Sequence, residues 1–151
     1  MTVAERLASA GLTLPEAPAP VAVYVPGVRS GSHVFTSGQL PFVDGELAAT
    51  GKVGDAVDTE TAAACARQCA LNALAVVAAQ VDLDQVVRVV KATVFVASAT
   101  DFTDQAVVAN GASELLGLAL GDAGRHARSA VGVAVLPMDA PVEVELVVEV
   151  A

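Results

Sequence analysis

Tryptophan is absent from this 151-residue chain, and one tyrosine and four phenylalanines supply all its aromatic content. A core must therefore be built from Ala, Val and Leu, in a chain that is 54% hydrophobic. Basic residues are also scarce. Eight Lys and Arg stand against seventeen Asp and Glu, a formal net charge of −9. Arg6, Arg29, Lys52, Arg67, Arg88 and Lys91 form no cluster, and Arg125 with Arg128 is only a pair. Phosphate backbones need a basic footprint, so nucleic acid is not an expected partner. Cysteine is limited to Cys65 and Cys69, four apart in an Ala-rich helical pattern. That spacing is poor geometry for a disulfide within one helix, and no His lies nearby in sequence to complete a metal site. Both read as small buried hydrophobes. Free thiols without a signal peptide point to the cytoplasm. No uninterrupted apolar run reaches the length a membrane helix needs.

The length suits one domain over residues 1–151. A chain so rich in Val and Ala would carry an unusually apolar surface as a monomer, so part of that surface is expected between subunits.

Thr2–Ala10 carries Val3, Leu7 and Ala10 at helical spacing, and Thr13–Pro20 holds three prolines, so residues 1–20 read as a short helix and an extended arm. Val21–Val25 and Ser32–Ser37 read as a strand pair around the turn Pro26–Gly31, the second strand running into Gly38-Gln39-Leu40-Pro41. Tyr24, the only tyrosine, is by default a core residue; a glycine at position 38 would let a ligand approach the backbone. Phe42–Val57, with three glycines, reads as a mobile loop. A long helix follows, capped at Asp58 or Thr59 and running to about Gln80. Val86–Ala97 is apolar at nearly every position, as expected of a central strand covered on both faces. A second helix spans about Phe102–Leu118 with Asp101 near its cap, and Asn110-Gly111 inside it implies a kink or a functional use.

The stretch Arg125–Val150 organises the rest. Two β-branched runs flank Leu136-Pro137-Met138-Asp139-Ala140-Pro141, the pattern of an antiparallel hairpin. With Val135 opposite Val142, Arg128 would share a face with Glu143, Glu145 and Glu149. Arg128 and Glu143 would then stand roughly 20 Å apart along the ladder, at about 3.3 Å per residue. One chain could not bring both to one ligand, whereas a second subunit could. The element order β-β-α-β-α-β-β predicts an α+β domain, both helices on one face of a largely antiparallel sheet and Arg128 on the other.

Several of these stretches resemble one family. Ala127–Leu136 followed by Pro137 (ARSAVGVAVLP) and Val142–Glu145 (VEVE) are similar to the C-terminal signature of the RidA/YjgF-like reactive intermediate deaminases. Tyr24 with Gly27, then Thr36-Ser37-Gly38-Gln39 and Pro41, resemble its N-terminal motif. Ala66-Arg67-Gln68, Lys91–Val96 and Asn110 also match, so the likeness covers about Pro18 to Val150. It implies a chorismate-mutase-like fold, a homotrimer with inter-subunit clefts, and cofactor-free hydrolysis of 2-imino acids or 2-aminoacrylate to 2-oxo acids and ammonia. It also implies that Arg128 binds the substrate carboxylate, that Glu143 positions or activates water, and that Tyr24, Ser37, Gly38 and Asn110 line the cleft. Ala130 stands where well-known members have a cysteine whose backbone can contact substrate, and Gly132 where they have glutamate. With the long Phe42–Val57 stretch and the added N-terminal helix, these departures imply a divergent branch.

The leading functional expectation is thus an imine/enamine deaminase acting on a small carboxylate, with Arg128, Glu143 and Tyr24 at its centre. A second expectation is a trimeric binding protein for a carboxylate metabolite, without turnover. The endoribonuclease role attached to the family's name is weaker, because of the acidic charge.

Overall fold

The computed structural model describes residues Met1–Ala151. Helix α1 (Val3–Ser9) opens on a capping box, the Thr2 hydroxyl accepting from the Glu5 amide and the Glu5 carboxylate from the Thr2 amide. The bond from the Thr2 amide, and secondarily the Thr2 hydroxyl beside it, favour the charged carboxylate and hold the Glu5 carboxyl below its ordinary range. Val3 and Leu7 of α1 are buried, and Ala10 is exposed.

Five strands form the main sheet: β1 (Gly27–Ser30), β2 (His33–Thr36), β5 (Val86–Ala97), β6 (Ala127–Val133) and β7 (Val142–Val150). Their order is β1-β2-β7-β5-β6, antiparallel throughout except that β5 and β6 run parallel. Helices α2 (Thr59–Ala78) and α3 (Gln105–Leu120) cover one face. The fold is α+β, as the element order predicts, and the parallel β5–β6 pair is what makes its otherwise antiparallel sheet mixed.

The C-terminal pair departs from the expected hairpin. β6 and β7 never touch as a ladder, because β5 lies between them and pairs with both. A twelve-residue Val-rich strand offers two ladder edges, and both β-branched runs take one. Faces change in consequence. Arg128 pairs with Ala92, whose side chain lies under the helices, while Glu143 pairs with Phe95 on the uncovered face. Side chains alternate along β5, so Arg128 and Glu143 leave the sheet on opposite sides. β5 itself is buried on one face and half-covered on the other.

The first strand begins later than expected. Val21–Tyr24 is a turn closed by two mutual backbone hydrogen bonds, with Ala22 at positive φ, and the ladder starts at Gly27. Gly31 takes positive φ in the two-residue connection to β2, the position where such hairpins want glycine. Phe42–Val57 is ordered rather than a loose loop. β3 (Phe42–Val43) and β4 (Glu46–Leu47) form a small hairpin around Asp44-Gly45, both at positive φ as a type I′ turn requires, and Val53 bridges to Val57 and Ser98. Helix α3 starts three residues after the predicted position, with Asp104 at its cap.

The core cluster of 31 residues contains only Val, Leu, Ala and Cys. Cys65 and Cys69 both lie in it as free thiols, and burial raises the pKa of each. By length and composition α2 could cross a bilayer, but most of it is buried inside the fold, where it serves as the central core helix. Asp58 caps it through the Thr61 amide at 2.7 Å. Where α2 crosses α3, a Cβ at Gly111 would overlap the Ala63 carbonyl. Gly111 therefore permits close packing of the helices, not a kink. Gly111→Ala is expected to destabilise the fold by about 1–3 kcal/mol through overpacking, against the roughly 1 kcal/mol gain that alanine brings to an unconstrained helix. Denaturant unfolding of the variant measures this.

Candidate active site

Two clusters of polar groups lie on opposite sides of the sheet. On the helix side, at its β6 edge, the Arg128 side chain lies along α3. Its Nη1 donates to Asn110 Oδ1 at 2.9 Å and Ser113 Oγ at 3.1 Å, and Nη2 donates to the Ala106 carbonyl at 3.3 Å. Those acceptors recur at helical spacing, so one face of α3 orients the guanidinium. Three of its five N–H groups are engaged. The Nε hydrogen and one Nη2 hydrogen remain, the number a bidentate carboxylate takes. Ala130 and Gly132 continue the row along β6, with small side chains or none. Gln105 Nε2, bonded to the Phe102 carbonyl and Ser98 Oγ, occupies the space a side chain at 132 would use.

On the uncovered side Glu143 meets Gly38. The approach depends on a bulge. β2 pairs with β7 from His33 to Phe35, after which Gln39 pairs with Val144, one residue out of register. Thr36 Oγ1 bridges the gap by accepting from the Leu146 amide at 3.0 Å. The extra residue brings the Gly38 backbone so near Glu143 that a Cβ there would enter the carboxyl group. Ser37 Oγ donates to the Val25 carbonyl at 2.9 Å, which fastens the bulge to the Tyr24 turn. Tyr24 is 52% exposed, contrary to the default of a core residue. Its ring lines a cavity of about 630 Å³ with Gly38, Gln39, Phe42 and the arm residues Pro15 and Pro18.

Burial, and secondarily the charge of Glu145, raise the Glu143 carboxyl above its ordinary value of 4.5. The native carboxyl thus holds its proton to higher pH than the unfolded one. Its stabilising effect is complete below the unfolded pKa and is lost as pH rises through the folded pKa. Glu143→Gln should therefore match the parent in thermal stability at low pH and exceed it progressively as pH rises past the carboxylate range. Melting temperatures across that interval give the sign.

The structure brings Tyr24, Ser37, Gly38 and Glu143 together, and separately Arg128, Asn110 and Ala130. It does not join the two clusters within one chain. Along β5 they are offset by three residues and across the sheet by two strand spacings, roughly 14 Å between Cα atoms, and the sheet stands between their side chains. Three residues went unnoticed in the sequence. Asn72, buried on α2, donates to the Leu40 and Phe42 carbonyls at 3.0 and 3.1 Å and so fixes the segment following Gly38. A lone amide on the most apolar stretch of α2 was its signal. Ser113 and His126 support Arg128, and their spacing from Asn110 (three) and Arg128 (two) was the only hint.

The endoribonuclease L-PSP family model matches residues 14–150. The chain belongs to this family, that of the RidA/YjgF proteins. It is 48% identical over 149 residues to Protein TCP17 of Trypanosoma cruzi, covering 97% of this chain and 93% of that one. It is 40% identical over 131 residues to the 2-iminobutanoate/2-iminopropanoate deaminase of Salmonella typhimurium, covering 87% and 90%. Among solved structures, Atu1372 of Agrobacterium tumefaciens, a protein of unknown function, superposes with a TM-score of 0.92 at 46% identity, covering 99% and 92%. Both motifs read from the sequence, around Gly38 and around Arg128, fall inside the matched residues.

Proposed function

We propose that this RidA/YjgF protein hydrolyses 2-imino acids and the related enamines to 2-oxo acids and ammonia, in clefts between the subunits of a homotrimer. The observation that carries this reading is the placement of the two clusters. A free guanidinium fork lies on one side of the sheet and a carboxyl of raised pKa packed against the Gly38 backbone lies on the other, so neither is a whole site alone. A cleft joining the Arg128 side of one subunit to the Glu143 side of another would complete it. The uncovered face supports such an assembly, since Val28, Phe35 and Val131 are exposed there beside half-buried Val147 and Phe95.

The chemistry requires little beyond position and proton control. An imine carbon is already electrophilic. In this scheme Arg128 holds the carboxylate and orients the C=N group. Glu143 takes a proton from water as its oxygen bonds to C2 and passes it to nitrogen, giving a carbinolamine; it then takes the hydroxyl proton and delivers it to nitrogen as the C=O bond forms and the C–N bond breaks. Water and imine go in, and oxo acid and ammonia come out. A carboxyl titrating nearer neutrality than usual suits both transfers. The reaction calls on no cofactor. Similarity to the Salmonella typhimurium deaminase supports the reading.

A binding protein without turnover is the second reading, favoured by Ala130 where the family's best-known members have cysteine. The endoribonuclease reading carries little weight in a chain of net charge −9. An assay separates the first two. An amino-acid oxidase generates 2-imino acids in situ, and semicarbazide trapping reports their lifetime. The protein should accelerate conversion to the oxo acid. Arg128→Ala should lower kcat/KM about 100-fold through loss of the charge-assisted fork. Glu143→Gln should lower kcat by about 10²–10⁴ and leave oxo-acid binding within about twofold. No acceleration with small, branched or aromatic imines would overturn the deaminase reading.

A further inference from the structure

We propose that Ser113 and His126 are positioning residues that set the Arg128 guanidinium for its carboxylate ligand, through a one-way chain of hydrogen bonds. The inference deepens the reading of Arg128 as the carboxylate-binding group and rests on it. His126 Nδ1 lies 2.6 Å from the Gly124 carbonyl. A carbonyl oxygen only accepts, so the proton of the neutral ring is on Nδ1. Nε2, 2.9 Å from Ser113 Oγ, is then an acceptor, and the Ser113 hydroxyl must donate to it. That turns the lone pairs of Ser113 toward Arg128 Nη1 at 3.1 Å. Every donor points one way: Arg128 to Ser113, Ser113 to His126, His126 to Gly124.

The end of the chain is fixed. Gly124 is buried, and a Cβ there would overlap the Leu116 carbonyl, so its carbonyl is held against α3. Remove the imidazole and the Ser113 hydroxyl is free to turn onto a carbonyl of the preceding helical turn, as serines in helices do. Arg128 then keeps Asn110 and Ala106 but loses a defined partner, and its free fork is no longer held in one orientation. The Ser113–His126 pair also has the spacing of a nucleophile and its base. Here, however, the cationic Arg128 Nη1 donates to the same oxygen and draws electron density from it, so the pair serves position.

The same logic ties ligand capture to the proton state of His126. Ser113, Gly117, Gly124, Arg125, His126 and Arg128 line one open hollow of about 410 Å³, with two guanidiniums and no carboxylate among them. Asp122 lies outside it on the same turn, 3.9 Å from Arg125 Nε, both side chains exposed. Glu114 of α3 is exposed, Lys91 of β5 stands opposite Ala127, and neither lines the hollow. A second ring proton would make Nε2 a donor and reverse Ser113, and it would add positive charge beside Arg128.

Two measurements test the relay. Nitrogen-15 NMR of the full-length protein at neutral pH should show His126 protonated on Nδ1 and bare on Nε2. A ring protonated on Nε2 would overturn the proposal, whatever the enzyme's activity. In the imine assay Ser113→Ala and His126→Phe should each raise KM about tenfold with kcat within about twofold, and Ser113→Thr, which keeps the hydroxyl, should restore KM. Placed on an Arg128→Ala background, neither should lower kcat/KM further, since the relay acts only through Arg128. Additive losses on that background, or a fall in kcat with KM unchanged, would contradict it. If the parent protein hydrolyses no imine, the same comparisons are made on the affinity for 2-oxobutanoate, so failure of the deaminase reading is distinguishable from failure of the relay.

Discussion

Two ladder contacts on β5 decide the geometry of everything else. Ala92 and Phe95 are three residues apart on one strand, so their side chains leave opposite faces of the sheet. Arg128 is paired to the first and Glu143 to the second. Had the β-branched runs of β6 and β7 paired with each other, one face would have carried both charges. Because β5 accepts both strands, the guanidinium comes to rest along α3 and the carboxyl beside the β2 bulge. Each is held by different neighbours, and each is open where the other is absent.

The supporting structure serves these two placements. Gly111 lets α3 approach α2, which lays the Ala106, Asn110 and Ser113 row beneath Arg128. On the other side Thr36 closes the ladder across the bulge, Asn72 ties the following segment to α2, and Gly38 leaves room for Glu143. The scarcity of aromatic residues has a physical consequence as well. The close-packed core uses none, and Phe35 and Tyr24 are spent on exposed surface. Large rings on an exposed sheet face and in a cavity wall are suited to contacts outside the chain.

Much of this was legible in the sequence, and what was not has definite causes. Helical periodicity and caps placed α1 and α2, and the Val-rich run placed β5 almost to the residue. The motifs around Gly38 and Arg128 gave the family. Pairing was the weak point, because alternation in Arg125–Val150 says which residues share a face within each run but not which edge each run chooses. That choice is made by β5, some thirty residues earlier in the chain. The same limit misplaced the first strand, since VAVYV has strand composition but Pro20 and Pro26 frame a tight turn. In Phe42–Val57 glycines suggested mobility, although Asp44-Gly45 is itself a hairpin signal. Ser113 and His126 were invisible for a simpler reason: hydrogen bonds to a third residue leave no trace in spacing.

On the proposed function, Arg128 and Glu143 act on one ligand only across two copies of the chain. Arg128→Ala and Glu143→Gln proteins, each keeping about a hundredth of parental activity or less, are dissociated, mixed in equal amounts and reassociated. Sites that draw arginine from one variant and glutamate from the other are then intact. In a randomly mixed cyclic trimer that is about one site in four, so about a quarter of parental activity should return. A mixture as inactive as its components, with mixed trimers demonstrated by mass spectrometry, would mean that the two residues do not meet across subunits.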